Sequence, residues 1–305
     1  MRRSRAGPAV VLLSLGLLVA CGGDPALAPS PATDDPAAAV RLASYDFREN
    51  QILVEVYAEA ARRAGVPVDV EHGVGTREVV SPALAQGLVD VVIDYTGTAL
   101  SFARPDAGPA ERTPEELHAA LELTLGARGV TVLRAAAAED QNGFVVTVGF
   151  AEEHDVSTIS DLTPLVSDLR FGGPPECPER RFCLQGLRDV YGLEFAEIRA
   201  MPSRAATAEA LLGGQIDVGM LETTDPRLAD SSLVLLVDDR GLQPHENVVP
   251  LVRADALQRW GDRLRTALDD VSARLTTEDL VRLNQAVESS GLTPAEAADR
   301  WWSGE

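Results

Sequence analysis

Lysine is absent from this chain, so all 27 basic side chains are arginine. They face 47 acidic residues, and the formal net charge is -20. A phosphate backbone needs a basic face, so nucleic acid is excluded as a partner. The missing lysine itself reads as compositional bias. The acidic field favours cationic ligands at long range. Cysteine is also scarce, with only Cys21, Cys177 and Cys183. Four histidines (His72, His118, His154 and His245) are scattered without ligand spacing, so neither a metal nor a cofactor is expected. There is no Ser-His-acid order, no Gly-x-Ser-x-Gly elbow and no phosphate loop. The acid pairs Glu152-Glu153 and Asp238-Asp239 read as solvated faces. No catalytic residue is expected, and the chain does not read as an enzyme. Long apolar runs are missing too. The run over residues 9–20 is shorter than the roughly 20 residues that span a bilayer.

What is present at the start is an export pattern. Arg2, Arg3 and Arg5 precede that apolar run, which ends in Leu18-Val19-Ala20-Cys21. Small residues before a cysteine resemble a bacterial lipoprotein cleavage site. Residues 1–20 then form a signal peptide, and Cys21 becomes the lipidated N-terminus. Residues 21–38, rich in Pro, Ala, Ser and Asp, read as a flexible tether. The expected location is the outer face of the plasma membrane or the periplasm, with attachment by lipid. In an exported chain, Cys177 and Cys183 across a short Pro-containing loop predict a disulfide.

The rest can build a sizeable core, since 45% of residues are hydrophobic. Arg41 to Ser44 reads as a strand. Ile52, Leu53, Val56, Tyr57 and Ala60 recur at helical spacing, and Gly65 follows as a stop. Val66, Val68 and Val70 alternate as in a strand. Val79, Val80, Ala83 and Leu84 form a helical face that stops at Gly87. Residues 89–93 form an apolar run broken only by Asp90, as in a strand buried on both faces. Thr113-Pro114-Glu115-Glu116 predicts a helix start, as do Thr276-Thr277-Glu278-Asp279 and Thr293-Pro294-Ala295-Glu296. Such alternation predicts an α/β fold.

One stretch repeats. Residues 83–91 align with residues 210–218, 127 positions later, as a helix end, a glycine turn and a buried strand. The copies run into Asp94-Tyr95-Thr96-Gly97-Thr98 and Leu221-Glu222-Thr223-Thr224-Asp225. Two similar lobes follow, with both Thr-rich turns expected at one cleft. Lobe 1 is expected over residues 39–143 and 247–305, and lobe 2 over 144–246. Residues 143–150 are expected to cross between them, and residues 233–239 and then 247–252 to return.

Several segments carry a resemblance: Phe47-Arg48-Glu49-Asn50, Gly75-Thr76-Arg77-Glu78, Tyr95-Thr96-Gly97-Thr98 and Gly172-Gly173-Pro174-Pro175-Glu176. Together they are similar to the substrate-binding proteins of osmoprotectant ABC importers, which take up glycine betaine, choline or carnitine. The resemblance implies a type II periplasmic-binding-protein fold, two α/β lobes joined by two crossing strands. It also implies ABC permease subunits with a cytoplasmic ATPase as partners.

The quaternary ammonium of such a solute has no N–H, so aromatic faces must hold it, at up to about 2 kcal/mol each. Its carboxylate wants helix-start amides or an arginine fork. The resemblance assigns Tyr95 and Phe144 to the aromatic cage, Thr98 to the donor turn, and Arg180, in preference to Arg181, to the carboxylate. The departures are Tyr45 in place of a lysine, Glu222 in place of an aromatic, and His245 or Glu246 where a tyrosine belongs. A full four-aromatic cage is therefore not expected. Glu222 points to a cation without a nearby acid, such as choline or an amine, and leaves ergothioneine open. A sensory binding protein remains the alternative to an importer component.

Overall fold

Strands and helices alternate from the first described residues onward. A computed structural model of the chain describes residues 39–105, 113–229 and 231–304. The expected signal peptide, the tether and Cys21 lie outside them. The chain begins with β1 (Val40–Tyr45), α1 (Arg48–Arg63), β2 (Val68–Gly75), α2 (Arg77–Gln86), β3 (Val91–Tyr95), α3 (Thr96–Ala103), α4 (Pro114–Gly126) and β4 (Val130–Val132). It continues through β5 (Asn142–Thr147), α5 (Val148–His154), β6 (Arg170–Gly173), α6 (Leu184–Tyr191), β7 (Glu197–Ala200), α7 (Arg204–Leu212), β8 (Val218–Glu222) and β9 (Leu233–Leu235). The last elements are β10 (Val248–Arg253), α8 (Ala254–Ser272), α9 (Thr277–Glu288) and α10 (Pro294–Ser303).

Local chemistry fixes many of these boundaries. Thr113, Thr276 and Thr293 each close a reciprocal capping box at the start of α4, α9 and α10. Gly87 ends α2 in the left-handed region at φ 74°, where a β-carbon is strained. The apolar face read for α1 is buried at Ile52, Leu53, Val56, Tyr57 and Ala60.

Two five-stranded sheets form among the described residues. Their orders are β2-β1-β3-β10-β4 and β7-β6-β8-β5-β9. In the first, β1 is parallel to β2 and β3, while β10 runs antiparallel to β3 and β4. In the second, β6 is parallel to β7 and β8, while β5 runs antiparallel to β8 and β9. The plans match strand for strand, and the repeated segments supply the central strands β3 and β8. The repeat extends to a side-chain clamp. Asp90 accepts from the Arg41 backbone at 2.9 Å and from its guanidinium at 2.9 and 3.0 Å. Asp217 accepts from Arg170 in the same way at 2.8, 2.7 and 2.9 Å. In each lobe an aspartate before the central strand therefore pins the start of its parallel neighbour. Helices α8, α9 and α10 pack with α1 into the core beside the first sheet.

The crossings differ from the sequence expectation. Residues 143–150 do not pass between lobes: β5 lies within the second sheet, between β8 and β9, and α5 follows it. The run is apolar because Phe144, Val145 and Val146 are buried there. Crossing is done by short polar stretches instead. Glu139 bridges Asn247 antiparallel, Asp140 N donates to Glu246 O at 3.2 Å, and Gln141 Nε2 donates to Pro244 O at 2.7 Å. Helix α3 packs hard against this crossing. A β-carbon on Gly97 would stand 2.4 Å from Pro244 Cγ and 2.8 Å from His245 O.

Candidate functional site

The carboxyl ends of β1 and β3 bring three aromatic rings together. Tyr45 and Phe47 lie nearly parallel, with centroids 6.0 Å apart, and Phe47 stands 6.1 Å from Tyr95. All three line a cleft of about 500 Å³ that residues of both lobes bound. The phenols are anchored at their far ends. Tyr45 Oη donates to Asp94 Oδ2 at 2.6 Å, and Tyr95 Oη donates to Glu49 Oε1 at 2.6 Å. Burial and these acids push both phenols well above their ordinary range. The rings are thus fixed, neutral surfaces.

Arg77, near the start of α2, lies over the Tyr45 ring at 4.9 Å and donates to Asp94 at 2.5 Å. Burial works against its charge, but Asp94 and Tyr45 more than offset that and hold it above its usual value. Glu49 ties the lobes together on the hinge side. Besides Tyr95, its carboxylate accepts from Thr224 Oγ1 of the second lobe at 2.5 Å and from Asn284 Nδ2 at 2.7 Å. Burial raises the Glu49 carboxyl, and these donors offset the rise only in part. Asp140, in the crossing, is held well above the carboxylate range by burial and by Glu49.

The second lobe contributes ion pairs. Arg204, the first residue of α7, donates to Glu222 at 2.5 Å. Its burial disfavours the charge, and Glu222 reverses that. Arg180 reaches across to Glu78 of the first lobe at 2.8 Å. The Arg180 loop is closed by the Cys177–Cys183 disulfide, whose Cα atoms lie 5.3 Å apart. In the return crossing, Glu246 takes both donors of Thr98. Thr98 N donates to Oε2 at 3.0 Å, and Thr98 Oγ1 donates to Oε1. Burial lifts the Glu246 carboxyl to about 7.

Of the residues expected at the site, Tyr45, Tyr95, Thr98, Arg180, Glu222 and Glu246 line the cleft, as does Arg181. Phe144 is a correction. It is 1% exposed and packs against Phe171 in the core of the second lobe, because alternation along β5 turns it to the covered side of that sheet. The second Thr-rich turn is also only partly at the cleft. Glu222 faces it, while Thr223 and Thr224 bind Asp140 and Glu49. The lining residues to which sequence reasoning gave no role include Phe47, Arg77, Asp140 and Arg204. Phe47 and Arg77 stand inside segments that carry the family likeness, so a signal existed. Arg204 has none, since it opens an ordinary Ser203-capped helix.

Two repeated α/β lobes around a shared cleft define a type II periplasmic-binding-protein fold. The chain belongs to the family described as the substrate binding domain of ABC-type glycine betaine transport systems, whose model matches residues 38–304. Members capture small solutes outside the cytoplasm and work with permease and ATPase subunits. Among the described residues, no helix is long and apolar enough to cross a membrane. The chain is 27% identical over 278 residues to the glycine-betaine-binding protein of Pseudomonas aeruginosa, covering 86% of each. It is 24% identical over 266 residues to a carnitine transport binding protein of Listeria monocytogenes, covering 86% of this chain and 85% of the relative. A crystal structure of a glycine betaine/carnitine/choline ABC transporter protein superposes with a TM-score of 0.70 at 22% identity, covering 87% of this chain and 98% of the other.

Proposed function

We propose that this protein captures a quaternary-ammonium or related organic cation in its cleft and delivers it to an ABC permease from a lipid anchor at Cys21. The observation that carries the reading is the aromatic group of Tyr45, Phe47 and Tyr95 lining a cleft in which acidic residues outnumber arginines. Phe47 and Tyr95 offer negative faces to a cation that cannot donate hydrogen bonds, while Arg77 already lies over the Tyr45 ring at 4.9 Å. The acids Asp46, Glu176 and Glu179 add a favourable field. Glu222 and Arg180 act here as a paired wall and a cross-lobe contact. Ligand contacts made by both lobes favour the closed state, and the closed form docks on the permease.

A thermal-shift panel of choline, glycine betaine, carnitine and a neutral sugar tests the capture. A bound ligand raises the melting temperature in proportion to the logarithm of its concentration over Kd. At least one trimethylammonium compound is expected to raise it and the sugar to leave it unchanged. No shift from any cation overturns the reading. The anchor rests on the Arg-rich start and the small residues before Cys21. In a bacterial host the protein is expected in the membrane fraction, and Cys21→Ser is expected to release it. A wild-type protein recovered wholly soluble removes the anchor.

A further inference from the structure

The cleft answers three of its own positive groups with a carboxylate of this chain. Asp94 holds Arg77 at 2.5 Å, Glu222 holds Arg204 at 2.5 Å, and Glu78 holds Arg180 at 2.8 Å. Arg181 is engaged as well. One place for a solute carboxylate is the amino end of α3, which follows Tyr95 directly and lines the cleft through Thr98. There the Glu246 carboxylate already accepts from Thr98 N and Thr98 Oγ1. Glu246 is 3% exposed, so its position is built into the fold. Its own amide is held by Glu139 at 2.9 Å in the other crossing stretch. Thr98 and Glu246 line the same cleft as Phe47 and Tyr95, so this turn is open to the far end of a short solute whose trimethylammonium group rests on the rings. A hydroxyl there can donate to Glu246. A carboxylate there must displace Glu246 or sit beside a like charge.

We infer that the cleft selects trimethylammonium cations lacking a carboxylate, and that Glu246 sets this selectivity by occupying the donors at the start of α3. The inference rests on the function proposed above and deepens it. Choline and glycine betaine are the matched probes, since they share the trimethylammonium group and differ at the far end in a hydroxyl against a carboxylate.

Calorimetric titration of the purified full chain, at pH 8, decides it. That pH lies above the value of about 7 to which burial raises the Glu246 carboxyl. The wild type is expected to bind choline at least 10-fold more tightly than glycine betaine. Glu246→Gln removes the charge and keeps the shape. It is expected to strengthen glycine betaine binding at least 10-fold and to weaken choline, which loses an anionic acceptor for its hydroxyl. Equal affinity of the wild type for both ligands overturns the inference, and this arm does not depend on any variant folding. An equal shift of both ligands in Glu246→Gln overturns it too. If the wild type binds neither, this inference falls, and the proposed function falls with it only if carnitine also fails to bind. If it binds glycine betaine alone, the inference falls and the proposed function stands.

Discussion

Glu246 holds its proton to a higher pH than an exposed glutamate does. Burial lifts its carboxyl from an ordinary 4.5 to about 7, and the Thr98 donors and Arg77 pull the other way without cancelling it. Between those two values the folded chain keeps the proton that the unfolded chain has lost. Stability therefore falls as pH rises through this window, by about 3 kcal/mol for this group at most. Glu49 and Asp140 are raised by burial too and add to the same trend. Thermal melts from pH 5 to 8 are expected to show a decline that is shallower in Glu246→Gln than in the wild type. Parallel slopes for the two proteins contradict the assignment. Tyr95 shows why a lining residue is hard to isolate. Its ring faces the cleft while its hydroxyl satisfies buried Glu49. Removing the whole side chain strips a donor from a buried carboxylate as well as a face from the cation.

Elements were the most legible level of the sequence. Capping boxes at Thr113, Thr276 and Thr293 read directly, because the Thr-x-x-acid pattern names the atoms that close the first turn. The repeat around Asp90 and Asp217 read as two lobes. Its purpose, the clamp on Arg41 and Arg170, needed partners 49 and 47 residues away. The crossing was misread for a physical reason. An apolar β-branched run signals burial, and burial on both sides belongs to a strand inside a sheet, as β5 is. A connection between lobes is short, polar and silent in periodicity. Phe144 failed with it, because a strand alternates and the resemblance alone could not say which face Phe144 takes. Tyr45, Tyr95, Thr98 and Glu246, all drawn from the family resemblance, line the cleft, and each sits at or beside a strand end where α/β folds place ligands. Arg204 was invisible because its role comes from a through-space pair with Glu222.

At the scale of the whole molecule, two repeated sheets leave a cleft, and few links cross it. Arg180 meets Glu78, Thr224 meets Glu49, and Arg227 near the end of β8 meets Glu288 of α9. The Arg180 pair involves a half-exposed Glu78, so it contributes no more than about 1 kcal/mol to closure. The solute must supply most of the bias toward the closed form, which is how a binding protein signals occupancy to its permease. That demand falls on the aromatic faces of the first lobe, since the arginines are already paired. The most direct measurement is the structure of the chain crystallised with saturating choline. The choline nitrogen is predicted to lie within about 6 Å of the ring centroids of Phe47 and Tyr95. A nitrogen held away from both rings, or a cleft that takes up no choline, contradicts the account.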